Sequence, residues 1–292
     1  MSGARATVLR RAVARGAARA TRDLRAALRP GWTRCAWGVI RRELLRFLHQ
    51  RERFVAALVR PLVWLFIFAA GFRAVLGVSI LPPYQTYVTY EVYVLPGLCA
   101  MAQLFQGMQS SLSMVYDRET GAMRALLIAP WPRWFLLTAK LSGGVAVSIL
   151  QVYAFLGIAW AYGVRPPVGG LVAVLPALAL SGMLLGAIGL LLSSRIKQLE
   201  NFAGVMNFVI FPMFFASSAL YPLWRLREGS PLLADIAWWN PFTHCVELIR
   251  HALYLQVAWG SFAFVAAALA LFLAAAFEAY DPRRGGFGRR RG

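Results

Sequence analysis

Six apolar stretches, each long enough to cross a bilayer, occupy most of the chain between Phe54 and Ala279, and almost no acid interrupts them. A helix rises about 1.5 Å per residue, so roughly 20 residues cover the ~30 Å hydrocarbon core. The stretches are residues 54–78, 92–115, 135–162, 171–192, 202–223 and 259–279. Strands of a transmembrane barrel would be about 10 residues of alternating pattern, which these continuous runs do not show. The pattern predicts an all-α integral membrane protein with six transmembrane helices forming one domain over residues 54–279. An apolar share of 59%, above that of ordinary soluble domains, agrees.

Charge placement orients the spans. Of the 31 basic residues all but Lys140 and Lys197 are arginine, and nearly half precede Phe54. Arg118, Arg124 and Arg133 follow the second span, Arg195 and Lys197 the fourth, and Arg283, Arg284, Arg289, Arg290 and Arg291 the sixth. The opposite side receives only Arg165, Arg225, Arg227 and Arg250. The positive-inside rule therefore predicts both termini in the cytoplasm and a multi-pass position in the cell (inner or plasma) membrane. Residues 1–30 read as a disordered basic tail and residues 280–292 as a basic C-terminal tail. The first tail has one acid, Asp23, and no aromatic, which fits attraction to anionic lipid and not nucleic-acid binding.

Residues 31–53 pose a choice between span and surface helix. Trp37, Ile40, Leu44, Phe47 and Leu48 recur at helical spacing, while Arg41, Arg42, Arg46, His49 and Gln50 take the other face. Inserting three central arginines costs about 2.5–3.5 kcal/mol each, against about 0.3–0.6 kcal/mol gained per large apolar residue. Insertion loses. The segment is expected to lie on the cytoplasmic leaflet as an interfacial amphipathic helix leading into span one.

Arg73 falls near the outer end of span one, with Glu91 as a possible partner, and Pro82-Pro83 and Pro166-Pro167 mark outer turns. Pro212 sits within span five, where its missing N–H favours a kink or break. Trp224, Trp238 and Trp239 suit the headgroup layer. Asn240-Pro241 then reads as an N-cap followed by proline in the first helical turn. It opens a short helix, to about Leu255, on the outer side or re-entrant before the last span.

The polar residues exclude much chemistry. None of the twelve acids lies near the centre of a span, which weakens proton-coupled antiport and a magnesium-dependent intramembrane prenyltransferase. His49, His244 and His251 are dispersed, and Cys35, Cys99 and Cys245 fall at three depths, so neither a metal site nor a disulfide framework is expected. Neither lysine follows a glycine, so there is no Walker loop. Any ATP-driven work needs a nucleotide site on another subunit, and this chain itself is expected to be no enzyme and to bind no cofactor or metal. An intramembrane lipid-modifying enzyme and a non-transporting membrane scaffold are the competing classes.

Two local patterns stand out. Gln103, Gln106, Ser110 and Ser113 sit at i, i+3, i+7 and i+10 of span two, with Gln109 beside them. Amides facing lipid are costly, so this line either joins helices or borders a translocation path. Gly182 and Gly186 in span four permit close helix contact, a common pattern. Between spans two and three, Asp117-Arg118-Glu119-Thr120-Gly121-Ala122-Met123-Arg124-Ala125-Leu126-Leu127 alternates charged with apolar residues, then Pro130, Pro132 and Arg133 follow. A plain solvated loop has no need of Met123, Leu126 and Leu127, whereas a segment docked on a partner has.

Four ordered segments stand together: Leu95-Pro96-Gly97-Leu98, the Asp117–Arg133 segment, Phe211-Pro212-Met213-Phe214-Phe215 through Leu220-Tyr221-Pro222-Leu223, and Asn240-Pro241-Phe242 with Glu247 and Arg250. Covering roughly residues 34–279, they make the chain resemble the permease subunits of type-2 ATP-binding cassette exporters. Ala122 departs from the threonine common in that family. The resemblance implies a half-transporter that pairs with a second permease copy, identical or different, and with ATP-binding subunits that hold ATP and magnesium. It further implies that Arg41, Arg42, Asp117, Arg118, Glu119, Gly121, Met123, Arg124 and Leu126 contact the ATPase, and that an amphipathic, lipid-linked, saccharide or drug-like cargo leaves the cell. Asn240, Pro241, Glu247 and Arg250 form its outer motif.

Overall fold

A computed structural model describes residues 31–72, 89–120, 131–196 and 198–280. By contacts the chain falls into two units, residues 1–39 and 40–292. The described part of the first is helical from Trp32 and mostly exposed; the packing below belongs to the second.

Ten helices occur among the described residues: α1 (Trp32–His49), α2 (Arg51–Phe72), α3 (Tyr90–Glu119), α4 (Arg133–Ala161), α5 (Val168–Arg195), α6 (Leu199–Phe215), α7 (Leu223–Gly229), α8 (Pro231–Trp239), α9 (Pro241–Leu253) and α10 (Trp259–Ala279). By length and composition α4, α5 and α10 are long and apolar enough to cross a membrane, and Phe54–Ile67 and α6 are shorter apolar stretches. The glutamines of α3, the longest helix among the described residues, dilute its apolar character.

The boundaries differ from expectation in four places. The interfacial segment ends at His49, and residues 51–53 already belong to α2. The fifth apolar stretch stops as a helix at Phe215, three residues past Pro212, and residues 216–222 are turns. Pro212 still accepts a hydrogen bond from Ala216 N–H at 2.9 Å, but Ala216 leaves helical geometry at φ −88°, ψ 58°. Residues 223–239, read only as interface aromatics, fold into α7 and α8. The outer helix runs to Leu253, two residues short of expectation, and Leu255 follows at φ 59°.

α3 is the centre of the bundle. Leu95, Leu98, Met101, Leu104 and Met108 are fully buried, as are Leu178 and Leu184 of α5. A Cβ placed on Gly107 would lie 3.0 Å from Gly186 Cα, and one on Gly189 would lie 2.6 Å from Ser111 Oγ. The two backbones therefore meet with almost nothing between them. A smaller cluster (Met114, Leu137, Leu190, Ala276 and Tyr280) joins α3, α4, α5 and the end of α10.

The exterior is apolar as well. Phe208, Val172, Trp259 and Leu271 are 78%, 74%, 73% and 68% exposed, and α10 buries only Val265 and Ala276 fully. Such a surface is stable against hydrocarbon and costly against water.

Candidate functional site

The end of α3 after Val115 ties together four elements. Asp117 accepts a hydrogen bond from Lys140 Nζ of α4 at 2.6 Å; the two side chains are 30% and 10% exposed. Arg118 reaches Ile196 O at 3.5 Å, beyond α5, and lies 5.5 Å from the Tyr280 ring centroid after α10. Tyr280 is bonded through its hydroxyl to Ser193 at 2.8 Å, and burial raises its phenol above the ordinary value, so Arg118 faces a neutral ring. Glu119 accepts the Leu199 backbone N–H at 2.8 Å, satisfying one orphan donor at the start of α6. Three consecutive side chains thus bind the ends of α4, α5, α6 and α10 to one helix.

Lys140 went unremarked as a partner in the sequence because it stands in the next apolar stretch. An ammonium so little exposed is tolerated only with a counter-charge. Of the other residues expected at this rim, Arg41 and Arg42 are exposed on α1, Arg42 paired with Glu43 at 3.0 Å. Glu43 packs on α4, where a Cβ on Gly143 would sit 3.0 Å from its Cγ. Gly121, Met123, Arg124 and Leu126 lie outside the described residues, as does Arg73.

The polar line of α3 divides. Gln103, 1% exposed, donates from Nε2 to Leu178 O at 2.7 Å, tying α3 to α5. Ser110 packs where a Cβ on Gly144 would lie 2.8 Å from its Oγ, and Ser113 bonds back to Ser110 O at 2.7 Å. These three do helix-joining or local work. Gln106 differs: it accepts from Gln151 Nε2 at 3.1 Å, and both amides line a cavity of about 160 Å³ together with Gln109, Arg60, Phe105 and Ala57. The Arg60 guanidinium carbon sits 3.7 Å over the Phe105 ring. Arg60 was missed in the sequence, although counting charges within span one would have found it beside Arg73. Arg60 interrupts the apolar stretch Phe54–Ile67, and a charge inside such a stretch asks for a reason.

The outer motif explains itself through backbone chemistry. Asn240 Oδ1 accepts from Phe242 N–H at 3.0 Å and caps α9, while its Nδ2 donates to Met213 O and Ala216 O, both at 2.7 Å. Those carbonyls are left without helical partners where α6 stops, so one side chain satisfies two helix ends. Pro241 occupies the first turn, where no N–H is needed. Arg250, 3% exposed, pairs with Glu247, donates to Ser218 O at 2.8 Å and lies 4.2 Å from the Tyr93 ring centroid. Tyr93 also donates to Ser218 O at 3.0 Å, and Tyr90 to Leu220 O at 2.8 Å. A Cβ on Gly97 would lie 2.7–2.8 Å from Ala219. Three of the four segments carrying the family resemblance therefore converge on residues 217–220.

His244 is stacked 3.9 Å from the Phe264 centroid and bonded to Trp238 O at 2.9 Å, and burial lowers its pKa. His251 bonds the backbone of Glu247 at 2.8 Å. Among the described residues no three His, Cys, Asp or Glu are grouped to hold a metal ion.

Apolar-faced helices around a core joined by buried amides and ion pairs define a multi-pass membrane protein. The chain belongs to the ABC-2 type transporter family, which matches residues 35–254. It is 29% identical over 187 residues to the probable multidrug ABC transporter permease YbhR of Escherichia coli (strain K12), covering 61% of this chain and 49% of that one. It is 25% identical over 224 residues to the putative transport permease ycf38 of Cyanophora paradoxa, covering 76% and 74%. Nodulation protein J of Rhizobium leguminosarum bv. viciae is 22% identical over 210 residues, covering 66% and 71%. The match thus spans about half the length of the first of these relatives.

Proposed function

We propose that this chain is the membrane-spanning half of an ATP-driven exporter. Six spans with both termini cytoplasmic surround part of a translocation path in the cell membrane. A separate subunit hydrolyses ATP, and a second permease copy, identical or different, completes the path. Arg-rich tails hold anionic lipid at the inner surface. The relatives named as transport permeases support this reading, and so does the family.

The observation that carries it is the inner rim. Force applied to residues 117–133 enters α3 and passes at once, through Asp117, Arg118 and Glu119, to the ends of α4, α5, α6 and α10. Side chains so engaged act as transmission links, which leaves Met123, Arg124 and Leu126 to seat on the ATPase. α1, with exposed Arg41 and Arg42, supplies a second contact. At the far end of α3, Tyr90, Tyr93 and Gly97 grip residues 217–220. One helix thus connects the driven rim with the outer closure.

The test is co-expression with the ATP-binding subunit and reconstitution into vesicles. The permease alone turns over no ATP; the complex does, and moves cargo. Arg124→Glu lowers both ATPase co-purification and transport, while Glu119→Lys also loosens the start of α6. Co-purification and transport unchanged by both reversals would overturn the assignment of this rim.

A further inference from the structure

We propose that Arg60, Gln106, Gln109 and Gln151 form a binding site for the anionic headgroup of a membrane amphiphile, entered from the inner leaflet. The inference rests on the permease reading above and names a chemical class for the cargo.

The residues supply what an oxyanion needs. Gln151 donates to the Gln106 carbonyl, which leaves the Gln106 NH₂ group as a donor at the cavity. Gln109 lines the same cavity. Among the described residues no carboxylate pairs with Arg60, whose neighbour is the face of Phe105. A guanidinium offers a planar fork of donors matched to phosphate, sulfonate or carboxylate, and cation–π contact orients it without neutralising it. A positive group beside cavity amides, oriented by a ring and with no carboxylate partner among the described residues, is half of an ion pair.

The surroundings select an amphiphile over a free anion. The cavity reaches the bundle surface, where Ala56 and Arg60 are exposed. Along α2, Ala56, Arg60, Val63 and Ile67 fall in one helical row, and Val63 and Ile67 are 44% and 61% exposed. With α2 entering from the cytoplasmic side, those residues lie deeper in the bilayer than Arg60. A headgroup held at Arg60 therefore lays its chain over Val63 and Ile67, pointing to the midplane as an inner-leaflet amphiphile does. A cavity of about 160 Å³ takes a compact headgroup and leaves a bulky one outside.

The test uses the full chain in nonionic detergent, without its ATPase, and counts bound dodecyl phosphate by native mass spectrometry. Inorganic phosphate and dodecyltrimethylammonium serve as controls, and thermal melting checks each variant's fold. Arg60→Gln is expected to weaken dodecyl phosphate roughly 10- to 100-fold, the usual effect of losing a charged hydrogen-bond partner. Arg60→Lys retains part of the affinity, and Ala57→Phe, which fills the cavity and spares the charge, loses it. Gln109→Leu weakens binding about fivefold and stands in for any variant that melts early. Unchanged binding in Arg60→Gln overturns the proposal, as does equal binding of the cationic amphiphile or of inorganic phosphate. A change of oligomeric mass in Arg60→Gln with binding intact also overturns it, marking a subunit contact instead. Binding is read without nucleotide, so its failure leaves the vesicle transport test standing, and the reverse holds.

Discussion

Replacing Asp117 by Asn removes a charge while keeping an oxygen near Lys140 Nζ. The ammonium, 10% exposed and 2.6 Å from its partner, then keeps a hydrogen bond but loses its counter-ion. Breaking a fully buried pair from one side costs about 3–5 kcal/mol. Asp117 is 30% exposed and water screens part of the interaction, so about 2 kcal/mol is the better figure. On the scale of large soluble domains this lowers the melting temperature by about 4–8 °C. Lys140→Met costs less, about 1 kcal/mol, because the orphaned carboxylate can hydrate and the apolar stem is replaced. The double variant should sit close to Lys140→Met, giving a coupling energy of about 1.5–2 kcal/mol. The assay is thermal melting of the purified chain in detergent across all four proteins. Effects that add within about 0.5 kcal/mol would refute the reasoning, since the two groups would then act independently.

Gly97→Ala drives a methyl group to 2.7–2.8 Å from Ala219 and should cost about 1–3 kcal/mol, read as a lower melting temperature. Asn240→Ala loses the cap of α9 and orphans two carbonyls where α6 ends, about 2–3 kcal/mol together, while Asn240→Asp keeps the cap and falls between. Because burial lowers the folded pKa of His244 below its unfolded value near 6.5, its contribution to stability is complete above about pH 6.5. It is lost as the pH falls from there through the folded pKa; melting temperatures between pH 8 and 5 should drop less in His244→Phe than in the parent chain.

The sequence makes the helices visible because apolar runs of this length have few alternatives; α10 begins and ends at the residues expected. Pro212 signals a disturbance, but its consequence depends on Asn240 arriving from further along the chain to satisfy Met213 and Ala216. The partners of Gly97, Asp117 and Arg250 are legible for the same reason only in space. Gly97 looks like a helix defect until Ala219 is seen against it, and Lys140 like an interruption of an apolar run until Asp117 is found beside it. Arg60 is hidden by its neighbours, since a single cation barely alters the apolar character of a long stretch. The polar line on α3 was recognisable by spacing, but its division between helix-joining Gln103 and cavity-lining Gln106 follows from which helix happens to face each turn.

Where Gly107 rests on Gly186 and Gly189 on Ser111, α3 and α5 are keyed together like the halves of a keel. Sliding one along the other would drive Cα atoms through each other's path, so any rocking of the bundle must carry the pair as one plank. Motion is then left to helices with thinner moorings, α2 and α6, whose outer faces are apolar and exposed.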